Sequence, residues 1–134
     1  MLTNIINTIL SYKPQDGLKY LSPWIIPYLV GGLLIISNSF QALAWYQHLH
    51  HPNQVFIKSF FISLIYVMFE YVSNVHATSI GSTIFSIFQI KVLKEITEVI
   101  VFLVYAYVSF NKIPTWKTLL ALILMSISMV LIMN

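Results

Sequence analysis

The chain has 134 residues, of which 58% are apolar and 8% charged, with a net charge of +3 and no cysteine. A soluble domain carries about 25% charged residues, and so few charges cannot cover a water-exposed surface. The missing cysteines exclude a disulfide scaffold or a thiolate metal site, and seven lysines without a basic run exclude a nucleic-acid footprint.

Residues 1–23 come first and stand apart. Leu2, Ile5, Ile6, Ile9 and Leu10 follow helical spacing, with Thr3, Asn4, Asn7 and Thr8 on the other face, until Lys13-Pro14-Gln15-Asp16-Gly17 breaks the pattern. The stretch is too short to span a bilayer and reads as an interfacial amphipathic helix or a tail. It lacks the basic start of a signal peptide.

Four apolar segments follow, at about 24–46, 55–75, 83–110 and 116–133. Each approaches or exceeds the roughly 17–20 residues that cross the hydrocarbon core as a helix. The runs are too long for barrel strands, and helices satisfy every backbone N–H internally. The expected fold is therefore an all-α membrane protein, a four-transmembrane-helix bundle with short loops. Pro52 and Pro114 punctuate two of the loops, and Trp24, Tyr28, Trp45, Tyr46 and Trp116 fall near segment ends, where interfacial aromatics gather. Lys13 and Lys19 lie on one side of the membrane and Lys58, Lys112 and Lys117 on the other. So even a balance is compatible with both orientations, and hence with an antiparallel homodimer.

Three segments carry polar stripes. In the first they are Asn38, Gln41, Trp45 and His48; in the second Ser59, Ser63, Tyr66, Glu70 and Ser73. In the third, Lys91, Lys94, Glu95 and Glu98 share an arc of about 100°, continued by Phe102, Tyr105 and Ser109. Lys91 with Glu95 and Lys94 with Glu98 are i, i+4 pairs able to neutralise each other. All three stripes are expected to face one bundle interior. The fourth segment, with hydroxyls such as Thr118, Ser126 and Ser128 as its polar residues, is left for lipid or another copy of the chain.

Two readings compete for the charges. In one they pair as glue between helices. In the other a carboxylate faces a cavity and exchanges a proton or binds a cation, the default for intramembrane ionisable groups. Glu70 and Glu95 are the first candidates, with Lys91, Lys94 and Glu98 beside them, and Asn38, Gln41, Trp45, His48, Tyr66 and Tyr105 as cavity lining. His48, His50 and His51 cluster in a loop, but no second ligand pair accompanies them, and no metal or cofactor is expected. Nucleophile elbows, phosphate loops and dinucleotide loops do not occur, so an enzyme is not expected.

Ser37-Asn38 followed by Ala44-Trp45-Tyr46-Gln47-His48-Leu49 resembles the SN…AWYxHL signature of a small bacterial family grouped with the drug/metabolite transporter superfamily. Phe69-Glu70-Tyr71 resembles its FEY motif, and Gln89-Ile90-Lys91 with Lys94-Glu95-Ile96-Thr97 its QLKxxQExxT motif. The resemblance covers residues 29 to 133. Here Val75–Gly81 stands where the family has VPANRIG, Lys94 where it has Gln, and Glu98 where it has an apolar residue. The resemblance implies four helices, an inner-membrane location and a transporter.

Overall fold

The computed structural model describes residues 22–131. They form four α-helices: α1 (Ile26–Tyr46), α2 (Phe56–Gly81), α3 (Ile87–Phe110) and α4 (Trp116–Leu131), with a 3-10 turn at Gln47–His50 after α1. No strand occurs among the described residues. The proposed N-terminal amphipathic segment lies almost wholly outside them.

Helix α1 sits at the centre, packed on α2 and on α3, while α4 packs mainly on α3. Val30, Leu34, Ser37 and Asn38 of α1 are fully enclosed, and Ile26, Val30 and Leu34 form one apolar cluster with Ala77 and Ile80 of α2. Ala42 and Ala44 are also buried, and small residues let helix backbones approach. Gly81 ends α2 at such an approach: a Cβ there would meet Ile90 Cδ1 at 3.3 Å and Val30 Cγ1 at 3.5 Å. Among the described residues nothing lies within 4 Å of a Cβ at Gly31 or Gly32, so that pair does not mediate packing between the described helices.

The second helix runs past Val75, where the apolar segment thins, to Gly81. Polar residues there do not break it, because they bond back to their own helix. Ser73 Oγ donates to Phe69 O, Thr78 Oγ1 to Asn74 O, and His76 Nδ1 lies 2.8 Å from Val72 O. Helix α3 opens on a capping box: the Ser86 hydroxyl accepts from Gln89 N–H while the Gln89 side chain accepts from Ser86 N–H. Ser86→Ala should lower unfolding stability by about 1 kcal/mol. Thermal unfolding in detergent reads that loss, and an unchanged midpoint would deny the cap its role. Helix α3 closes on Asn111, left-handed at φ 51°, whose N–H bonds back to Tyr107 O.

The helices are apolar on their outer faces. Phe56, Ile57, Phe61, Ile65, Met68 and Val72 of α2 are all more than half exposed, as are Ile87, Val104 and Val108 of α3. Lipid is the solvent in which such a surface is stable. Two helical stretches, Ile26–His50 and Phe56–Gly81, are long and apolar enough to cross a membrane. Helix α3 has 24 residues but carries Lys91, Lys94, Glu95 and Glu98. Helix α4 has 16 described residues, about 24 Å against a hydrocarbon core of about 30 Å.

Candidate functional site

The polar stripes meet where α1 lies between α2 and α3. From α2, the Glu70 carboxylate accepts from Ser37 Oγ at 3.3 Å and faces Lys94 Nζ of α3 at 3.4 Å. Ser37 also lies 3.2 Å from Glu70 O, so one buried hydroxyl serves both the backbone and the side chain of that residue. One step along α1, Asn38 Nδ2 donates to Thr97 Oγ1 at 2.8 Å and to Lys94 O at 3.2 Å. Thr97 Oγ1 itself lies 2.8 Å from Leu93 O and Lys94 O, so its proton goes to its own helix and its lone pair is free for Asn38. One turn further, Gln41 Nε2 donates to Glu98 Oε1 at 2.9 Å.

The charged stripe of α3 straddles its contact with α1. Lys94 and Glu98 lie on the flank turned inward. Lys91 and Glu95 lie on the other flank and pair with each other, the lysine side chain being 66% exposed. That i, i+4 pair is one of the two anticipated from spacing. The other, Lys94 with Glu98, does not form: Lys94 reaches across to Glu70, and Glu98 takes the amide of Gln41. Packing sets this rotation, because Ile90 and Leu93 on the same side of α3 press toward Gly81 and the α1–α2 core. Lys91→Ala removes the exposed half of this pair and leaves a carboxylate that is 22% exposed, and we expect a loss of about 1 kcal/mol. A larger fall in the unfolding midpoint would show that Lys91 holds more than Glu95.

A cleft of about 70 Å³ opens beside Glu98, lined by Asn38, Gln41, Trp45, Tyr46 and Phe102 among others. Of the remaining candidates, Tyr66 packs against Phe40 with ring centroids 6.3 Å apart, and His48 is exposed in the loop region. Tyr105 belongs to an aromatic cluster with Tyr46, His50 and Phe110. None of these three lines the cleft. Glu70 and Glu95 do not line it either. Ser37 and Thr97 are part of the network but were not among the site residues expected from sequence. Each is adjacent to an amide or charged residue of the stripe, Ser37 to Asn38 and Thr97 to Glu98, and that adjacency is the signal the sequence offers. Gln89, prominent in the third motif, serves the helix cap.

Among the described residues, Lys94 answers Glu70, Lys91 answers Glu95, and Glu98 has no cation within ion-pair distance. The arrangement is thus a half-buried ladder of hydrogen bonds with one carboxylate whose partner is neutral. The class this defines is a small helical integral membrane protein with a charged interior. A family model described as "Putative member of DMT superfamily (DUF486)" matches residues 30–133, and the chain belongs to that family. No curated protein and no solved structure matches the chain. That description groups the family with the drug/metabolite transporter superfamily, which suggests a membrane protein of transporter type.

Proposed function

We propose that the chain is a small transporter in which Glu98 is the coupling group, binding a proton or a cation during each cycle. The observation that carries this is the Glu98 carboxylate: it lines a cleft, and its hydrogen-bond partner is the neutral amide of Gln41. An ionised group with no cation within ion-pair distance among the described residues is costly at membrane depth, and such groups mark ion and substrate pathways. In this reading all four helices cross the bacterial inner membrane, and the chain works as a homodimer, antiparallel where both orientations insert. The apolar face shared by α3 and α4, with Ile96, Val99, Leu103, Leu122 and Ile123 around a groove of about 420 Å³, is available to the second copy or to lipid.

The second reading is a non-transporting assembly subunit whose charges only join helices. The Glu70–Lys94 and Lys91–Glu95 pairs favour it, since they satisfy four of the charges internally. Flux separates the two. Purified protein in liposomes loaded with a pH indicator should dissipate a pH gradient or exchange it for a cation in a Glu98-dependent way. A wild-type rate equal to that of empty liposomes would favour the assembly role.

A further inference from the structure

The turn between α1 and α2 walls a groove that carries positive charge and no negative charge. Helix α1 ends at Tyr46 and α2 begins at Phe56, and both belong to stretches long enough to span, so the turn lies at the membrane–water boundary. The His50 ring stacks on Phe110 at 4.4 Å and meets Tyr105 edge-on, which brings the end of α3 to the same side. Backbone bonds hold the turn: His51 N–H donates to His48 O at 3.1 Å and Gln54 N–H to His51 O at 2.9 Å. The turn and α2 together line a groove of about 550 Å³, with His50, His51, Gln54 and Lys58 among its polar residues and Ile62 as its aliphatic side chain. Ile62 lies one helical turn deeper than Lys58, about 6 Å along α2. Ile65 and Phe69 continue the same face inward and are more than half exposed.

We propose that this groove seats an acidic phospholipid, with its phosphodiester against Lys58, His50 and His51 and an acyl chain along Ile62, Ile65 and Phe69. Charge makes the first part of the case. Among the described residues the nearest acids on α2 and α3 are Glu70 and Glu98. Each lies twelve residues from this end, counted from Lys58 and Phe110, about 18 Å along its helix. Lys58 therefore has no carboxylate within ion-pair distance among the described residues. An imidazole offers an N–H in either tautomer and an ammonium offers three, so the wall suits acceptor oxygens. A lysine at this level attracts anionic lipid, whereas a zwitterionic headgroup would bring a second cation toward Lys58. The apolar track below makes the second part, since it suits an acyl chain and offers nothing to a dissolved anion. Trp45, Phe56 and Trp116, all more than half exposed at this end, mark the headgroup level. The site is separate from the Glu98 cleft and stands whether or not the chain transports.

The test is native mass spectrometry of the full chain released from detergent micelles that hold equal phosphatidylglycerol and phosphatidylcholine with matched acyl chains. The first bound lipid should be phosphatidylglycerol by about tenfold. Lys58→Gln should cut that preference about fivefold, the weight of one lysine at a membrane surface. Lys58→Gln combined with His51→Gln should remove it, and Lys58→Arg, which keeps the charge, should keep it. Lys112→Gln combined with Lys117→Gln takes two charges from the same side outside the groove and should leave the preference in place. All of these side chains but the groove's own are remote from the turn, whose shape rests on backbone bonds. Equal binding of the two lipids would overturn the proposal. So would an equal loss of preference in both double variants, which would make the attraction a diffuse field rather than a site. Glycerol 3-phosphate, added in millimolar excess, should not displace the bound lipid. Its doing so would assign the groove to a dissolved phosphate and overturn the lipid.

Discussion

Glu98→Gln protein reconstituted into liposomes should show flux no greater than empty vesicles while remaining folded. The substitution keeps the size and planarity of the side chain and leaves Gln41 a hydrogen-bonding partner at 2.9 Å. It removes the charge and the exchangeable acid proton. Because Glu98 has no cationic partner among the described residues, neutralising it strands no buried lysine. The unfolding midpoint should therefore stay close to that of the wild type or rise slightly. Glu98→Asp keeps the chemistry with a shorter reach and should retain part of the flux. Wild-type rates in Glu98→Gln would remove Glu98 from the mechanism.

The opposite pattern is expected at Glu70 and Lys94. Their side chains are 16% and 21% exposed and sit 3.4 Å apart between α2 and α3, with Ser37 closing the group from α1. Removing one partner leaves the other charge buried and unpaired, a loss of about 3–5 kcal/mol, whereas replacing both by apolar residues of similar volume is often neutral. Glu70→Leu and Lys94→Met should each lower the unfolding midpoint sharply, and the double variant should recover most of it. Denaturant titrations of the four proteins form a double-mutant cycle. A coupling energy near zero would mean that the two groups do not hold α2 and α3 to α1 through their charges.

The difference between these sites shows what could be read from the chain. The apolar runs of 20 or so residues announced helices, and the spacing of Asn38, Gln41, Glu70 and Glu98 announced polar faces that would meet. Spacing alone did not tell Glu95 from Glu98. Both fall in one arc of about 100°, and only half of that arc is covered by α1. Which half depends on how Ile90 and Leu93 seat beside Gly81 and Val30, a matter of tertiary packing. The end of α2 was hidden for a different reason. Asn74, His76 and Thr78 look like loop residues, yet within the helix Thr78 and His76 turn back on Asn74 O and Val72 O. The Ser86–Gln89 box is legible in the chain, Ser followed three residues later by Gln, and it starts the helix inside the apolar segment that opens at about 83.

Glu98 is the carboxylate expected to exchange its proton or cation with the aqueous side. The direct measurement is infrared difference spectroscopy of the protein in lipid, stepping pH, in wild type and Glu98→Gln. A protonated-carboxyl band that follows pH in the wild type and is missing in Glu98→Gln is the predicted result. A band unchanged by the substitution would place the titrating group elsewhere and contradict the account.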